Sequence, residues 1–262
     1  MLESPPTDGA SAVVGLDALA LKPTECVLTR AADAPVATLA VDYEGPEHVP
    51  DASTLETLAR AHTVRLTVPV RADGFDPLGD NSTLEALPAS VECVFVAGHP
   101  SYLRTDERRR AVAPRLAAAL EYDPNGWVGT EGIERVALAT GATQYELLTR
   151  TTRRDLRALR SAGFDADVAI YAPTVRSSDP DTVLDAVGAY VARRRPVAET
   201  LTADAPVDAT ASGRTREVLL EAAREYALVG TDDEIRADVA ALKAAGATTV
   251  VGYPACGLAS FL

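Results

Sequence analysis

The sequence predicts an α/β protein of the (β/α)8 TIM-barrel class, a ring of parallel strands wrapped in helices. Three observations carry this. Eight short apolar, β-branched runs recur along the 262 residues, most of them nearly continuous, as parallel strands covered on both faces must be. Helical patterns with their own start signals separate these runs, and such alternation over about 250 residues is the pattern of a barrel. The rival, an open doubly wound sheet, usually shows a glycine-rich phosphate turn after its first strand. Here the first run leads into Ala-Leu-Lys-Pro-Thr-Glu, and neither G-x-G-x-x-G nor G-x-x-x-x-G-K-[ST] occurs.

The elements follow in chain order. Residues 1–11 are polar and expected to fray, and residues 12–262 are expected to form a single barrel domain. Strands are expected at 13–21, 36–41, 64–70, 91–97, 135–139, 168–171, 226–229 and 248–251. Ser53 with Glu56, Ser82 with Glu85 and Thr231 with Glu234 each read as a capping box, in which a hydroxyl and a Glu three residues later satisfy early backbone N–H groups. Asp179 before Pro180 is a capping residue ahead of a proline suited to the first helical position. Further helices are expected at 106–120, 145–162, 182–194 and 216–225, with weak, short ones after the first and third strands. The last helix carries Ile235, Val239 and Leu242 on one stripe and ends at Gly246. Residues 196–213 have the composition of a long loop, of the kind that serves as a lid or binding loop.

Hydrophobic residues make up 47% and aromatics only 5%, so Ala, Val and Leu must fill the core. No apolar run approaches the roughly 20 residues needed to cross a bilayer. The first residues lack the basic start and apolar stretch of a signal peptide, so a soluble, cytoplasmic protein is expected. Asp and Glu number 38 against 25 Lys and Arg, a net charge of −13 that repels phosphate backbones. Nucleic acid and membrane are therefore not expected as partners; a small-molecule substrate or cofactor and a second copy of the chain, as a homodimer, are. Only Lys22 and Lys243 are lysines. An acidic, lysine-poor surface resembles that of extremely halophilic archaea, while a GC-rich genome also favours Arg over Lys. Cys26, Cys93 and Cys256 are widely spaced and no C-x-x-C occurs, so they read as small buried hydrophobes, with Cys256 near a late strand.

In a barrel, chemistry sits at the carboxyl ends of the strands. That rule selects Lys22 after the first strand, a compact ammonium able to hold an anion or act on a carbonyl. It selects Asp42, Tyr43 and Glu44 after the second, where a carboxylate could be a general base. Arg71 and Asp73 follow the third, and Arg71 could clamp a carboxylate or phosphate. His99, between Gly98 and Pro100, follows the fourth and suits proton transfer, whereas His48 and His62 look ordinary. Thr140, Thr143 and Gln144 follow the expected fifth strand, Tyr171 and Thr174 the sixth, Gly230 and Thr231 the seventh, and Gly252 and Tyr253 the eighth. The loops after the last two strands bind phosphate in many barrels. Each residue also has a plain reading: a rim salt bridge for Lys22, a solvated turn for Asp42, helix capping for Thr143 and Thr231. No H-x-H, H-E-x-x-H or EF-hand spacing is present, so no metal site is expected.

Val168-Ala-Ile-Tyr-Ala-Pro-Thr-Val175 followed by Asp179-Pro180 resembles the sixth strand and helix of the luciferase-like barrels, a superfamily of flavin monooxygenases and F420-dependent reductases. The helix from Arg216 leading into Leu228-Val-Gly-Thr231 and an acidic helix start is similar as well, and so is the closing Ala245-Gly-Ala-Thr-Thr-Val-Val-Gly-Tyr253. The resemblance lies mainly in residues 150–253. It implies F420 or FMN bound at the top of the barrel and hydride transfer to or from a small substrate. His99 or Asp42 would then manage the substrate proton. Arg71, Lys22 and the Gly230-Thr231 helix start would hold anionic groups, with Thr140, Thr143, Tyr171 and Gly252 near the cofactor. A cofactor-free lyase or isomerase and a non-catalytic binding or partner subunit are the alternatives.

Overall fold

The computed structural model describes residues 13–262; the stretch 1–11 expected to fray lies outside the described residues. Along the chain run β1 (Ala18–Leu21), β2 (Thr38–Val41), α1 (Ala52–Ala59), β3 (Thr63–Pro69), α2 (Ser82–Glu85), β4 (Val91–Val96), α3 (Val112–Tyr122), β5 (Trp127–Gly129), α4 (Glu134–Ala139) and β6 (Gln144–Leu147). There follow α5 (Thr152–Ser161), β7 (Val168–Val175), α6 (Pro180–Ala192), α7 (Arg195–Ala198), α8 (Gly213–Tyr226), β8 (Leu228–Val229), α9 (Asp232–Ala245) and β9 (Thr249–Pro254). All strand pairs are parallel, in the order β6-β5-β4-β3-β2-β1-β9-β7, and β6 pairs with β7 to close the ring.

The ring has eight strands, but not the eight that the sequence suggests. Residues 135–139 form helix α4: Arg-Val-Ala-Leu-Ala is too short for periodicity to separate strand from helix, and Ala and Leu are good helix formers. The true fifth and sixth strands are β5, only three residues beside Gly126, and β6, in which polar Gln144 and Glu146 alternate with Tyr145 and Leu147. Residues 145–147, expected to begin a helix, belong to β6, and the helix starts at Thr152. β8 stands outside the ring, pairing with β7 only at Thr174 and Val175.

Alternation along the strands sorts side chains between two layers. Ala18, Ala20, Ala40, Val94, Ala169 and Val251 point into the ring with Trp127, Tyr145 and Tyr171, while Leu19, Leu21, Leu39, Leu66, Phe95 and Ile170 pack outward beneath the helices. The small alanines leave room that the few aromatics fill. Arg65 lies over the Trp127 ring at 4.1 Å and pairs with Glu92.

Caps follow local chemistry. The Asp51 carboxylate accepts from Thr54 N–H and from the Ser53 hydroxyl, each at 2.7 Å, so Asp51 rather than Ser53 caps α1. Asn81 takes the cap position of α2. The Thr231 and Glu234 box forms as its spacing suggests, as does the Asp179 cap of α6. Residues 196–213 are a loop only in part, since α7 opens the segment and the remainder lies across α6. Among the described residues no helix is long and apolar enough to cross a membrane.

Candidate functional site

The carboxyl ends of the strands meet at one rim, where Lys22, Asp42 and Tyr171 come together. Alternation places Asp42 on the inward face of β2, in line with Ala40, and Tyr171 inward on β7 beside Ala169. Asp42 keeps some accessible surface, yet protein surrounds its carboxyl. Burial pushes that carboxyl up from 3.8 to about 7; Lys22 pulls it back, Glu44 and Glu25 push it further up, and the hydrogen-bonding Tyr171 hydroxyl lowers it. Lys22 Nζ sits 3.2 Å from Glu25 Oε1 and 4.2 Å from the Tyr253 ring centroid. The Tyr253 hydroxyl donates to Glu25, and Glu44 accepts from the Thr24 N–H at 2.9 Å and hydroxyl at 2.6 Å. The two glutamates of the rim are thus engaged, and Asp42 is the rim carboxyl that burial lifts toward neutrality.

Helix α6 roofs this mouth. It starts where β7 ends, and its far end reaches the loops after β4 and β5: Arg194 Nη1 is 4.0 Å from Glu131, and Arg193 acts on the Tyr102 hydroxyl. Tyr190, one turn before Arg194, lies within electrostatic range of the Tyr145 and Tyr171 phenols. The Arg194 guanidinium stacks on Tyr190 at 4.1 Å and reaches Tyr226 at 5.9 Å. The Tyr145 and Tyr190 hydroxyls and Arg194 Nε are buried without a hydrogen-bond partner. Burial drives the Tyr145 and Tyr171 phenols well above their usual 10, so both stay neutral.

The other sequence-selected residues lie elsewhere or are committed. His99 stands at the end of β4, exposed, with Nδ1 accepting from Ser101 N–H at 3.2 Å and its ring 5.9 Å from Tyr102. Arg71 spends its guanidinium on backbone carbonyls of the next loop: Ala97 at 2.6 Å, Arg108 at 2.8 Å and Gly98 at 3.2 Å. That makes it a strut rather than a free clamp. Arg71→Ala is expected to cost about 1–3 kcal/mol, as a few net hydrogen bonds would, and to leave ligand affinity unchanged, checked by urea unfolding and a binding titration. Asp73 belongs to the same framework, paired with Arg104 and Arg110, while buried Asp76 holds Arg110 at 3.1 Å and Arg115 at 2.8 Å.

Thr140 and Thr143 fall between α4 and β6, at the amino end of that strand and so at the opposite rim, because 135–139 is a helix. The Thr140 hydroxyl donates to Ala137 O at 2.6 Å, and Thr143 O accepts from Val128 N–H. Gly230 and Thr231 follow β8 outside the ring. Glu234 folds back to accept from Thr231 N–H at 2.7 Å and hydroxyl at 2.9 Å, and a Cβ on Gly230 would meet that carboxylate at 2.6 Å. With Asp232, Asp233 and Glu234 in the first turn, this helix start already holds negative charge and does not suit a phosphate. Gly252 lies within β9 against Leu16 and Thr174. Among the described residues no three His, Cys, Asp or Glu side chains group as metal ligands.

Tyr145, Tyr190 and Arg194 were not selectable from sequence. Tyr145 sits in the unrecognised β6, and Tyr190 reads as one more apolar residue of a helix that buries Val183, Leu184, Val187 and Val191. Only the path of α6 across the ring makes them part of the mouth.

Residues 11–261 match a family of unknown function (DUF7388). No curated protein matches the sequence. Among solved structures, the chain is similar to an F420-dependent secondary alcohol dehydrogenase in complex with an F420-acetone adduct, with a TM-score of 0.58 and 10% identity over 92% of this chain and 93% of that one. It is also similar to the monooxygenase RslO1 from Streptomyces bottropensis, with a TM-score of 0.50 and 17% identity over 90% and 91% of the two chains. At these identities the likeness shows the architecture alone, a closed parallel (β/α)8 barrel.

Proposed function

We propose that the chain, which belongs to the DUF7388 family, is an oxidoreductase acting on a small molecule in the roofed mouth, with F420 or FMN as its cofactor. The observation that carries this reading is Asp42, a carboxyl that changes charge near neutrality beside buried polar atoms that have no partner. Buried polar groups are normally satisfied, so orphaned ones point to a ligand or water. The carbonyls and ring nitrogens of a planar heterocycle would match such donors. Tyr171 and Tyr253, whose rings run nearly parallel 6.2 Å apart, and Lys22 would hold it.

Either cofactor, when bound, supplies a hydride acceptor or donor. The chain's own part is the proton. A carboxyl near 7 can take the proton of a substrate hydroxyl in one direction and return it in the other, because its affinity matches the working pH. The Tyr171 hydroxyl lies beside that carboxyl and steadies its charged form, and Lys22 offers positive charge beside a developing alkoxide. Tyr190 and the end of α6 shield the mouth from water. His99, exposed at the rim, is the second candidate for the proton. Arg71, Thr140, Thr143, Gly230, Thr231 and Gly252 enter the proposal as supports of the frame. The F420-dependent dehydrogenase and the monooxygenase support the reading at the level of architecture.

The test is a titration of the protein in molar KCl with F420 and with FMN, read by cofactor fluorescence. Saturable binding of one of them is expected; a folded protein that binds neither rules out the cofactor. The readings left are then a cofactor-free lyase or isomerase, which Asp42 beside Lys22 favours, and a non-catalytic binding or partner subunit. We also propose that the protein works in concentrated salt, on the strength of its −13 charge. Its melting temperature should rise by several degrees between dilute and molar KCl as self-repulsion is screened; a flat response points to GC-biased composition instead.

A further inference from the structure

The unused polar atoms of the roof indicate what kind of substrate the mouth takes. We propose that Tyr145, Tyr190 and Arg194 form a subsite for the carboxylate of a small organic acid. The proposal rests on the roofed mouth being the working site, and not on which cofactor it holds.

The three residues come from β6, from α6 and from the segment just past α6, and each brings one buried polar atom that makes no hydrogen bond of normal geometry, the Tyr190 hydroxyl lying close enough to Arg194 to feel its charge. Tyr145 is 7% exposed, so its hydroxyl has no recourse to bulk water. All three atoms can donate. Arg194 lies beside Tyr190 without a hydrogen bond of normal geometry, and among the described residues its one ion-pair contact is Glu131 at 4.0 Å, whose side chain is 66% exposed. Its positive charge is therefore only loosely compensated. The stacking of its guanidinium on Tyr190 leaves the in-plane N–H edge to recognise a ligand.

A lone neutral carbonyl offers too few lone pairs for three donors. A carboxylate offers two oxygens and about four acceptor sites, and its charge matches a guanidinium edge. Charge also fixes where it binds. Asp42, Glu25 and Glu44 occupy the β1 and β2 side of the mouth, so an anionic group is driven toward Arg194. The remainder of the acid then faces Asp42, which lies close enough to influence Tyr145.

Benzoate and its neutral isostere benzamide test this, read through Trp127, the sole tryptophan, whose ring lies 5.7 Å from that of Tyr145. Benzoate should bind saturably in molar KCl and benzamide at least about tenfold more weakly, the worth of one charge-assisted hydrogen bond. Arg194→Gln should remove that preference by weakening benzoate far more than benzamide. Tyr145→Phe and Tyr190→Phe should weaken benzoate while leaving the melting temperature equal or higher, since each deletes a buried hydroxyl that has no partner. A purely structural tyrosine would do the reverse, lowering the melting temperature and sparing affinity. Equal affinity for the two probes, no binding of benzoate, or that reversed tyrosine pattern overturns the proposal. If F420 and FMN both fail to bind while the benzoate pattern holds, the subsite stands and the cofactor reading falls.

Discussion

Asp42→Asn is expected to make the protein more stable at pH 8, equally stable near pH 4, and far slower in turnover. The sign follows from the carboxyl's environment. Burial raises its pKa from 3.8 to about 7, so between those values the folded state holds a proton that the unfolded chain has lost. Stability contributed by this group is therefore full below pH 3.8, falls as pH rises to about 7, and is flat above. The span corresponds to at most about 4 kcal/mol, an upper limit because Asp42 keeps some contact with solvent. Asn cannot ionise and escapes the penalty, so the gain in denaturation midpoint should grow across that window and then level off. Turnover should fall by about a hundredfold or more, the usual contribution of a general base. A variant that loses stability at pH 8 would show that the carboxylate is a structural partner and not a buried proton carrier.

Gly188→Ala should cost about 3 kcal/mol and open the roof. A Cβ at this buried position of α6 would stand 1.9 Å from the Val207 carbonyl oxygen, an approach only glycine permits. The segment after α7 is seated on the helix there. Nearby, Ala209 N–H donates to Asp185 at 2.9 Å, and Arg216 on α8 reaches Asp181 at 2.6 Å. A methyl group must displace backbone rather than a pliable side chain, which places the cost at the upper end for overpacking. For a chain of this size that corresponds to a fall of about 6–12 °C in melting temperature. Because α6 carries Tyr190 toward the mouth, benzoate affinity should fall with it. A variant with the melting temperature of the parent would mean that the 199–212 segment yields freely and does not hold α6 in place.

The strands that the sequence reveals are those whose residues are apolar on both faces. Apolar residues dominate β2, β4 and β7 because helices cover them outside and the ring fills inside, and β3 and β9 stand out by their valines despite Arg65, Thr67 and Gly252. β5 and β6 escape notice for opposite reasons. The first is three residues long, and the second carries Gln144, whose amide donates to Ala137 and Ala142 carbonyls where an apolar residue would be expected. Misreading α4 as a strand then moves Thr140 and Thr143 to the wrong rim. Lys22 and Asp42 are reachable from sequence because the expected first two strands end where β1 and β2 end, whereas Tyr171 lies in the middle of β7, which runs four residues past its expected end to Val175. Arg71 shows the limit of the carboxyl-end rule: its position is right, but only coordinates reveal that carbonyls of the β4 loop occupy its donors. Tyr190 and Arg194 depend on where α6 runs after it leaves β7, a tertiary fact with no local signature.

A carbon-13 NMR titration of the Asp42 side-chain carboxyl, assigned by its absence in Asp42→Asn, tests the central claim most directly. The account predicts a midpoint near pH 7, moved when benzoate enters the mouth. A midpoint near 4, indifferent to benzoate, would mean a hydrated carboxylate in an open turn, and the mouth would lose its proton carrier.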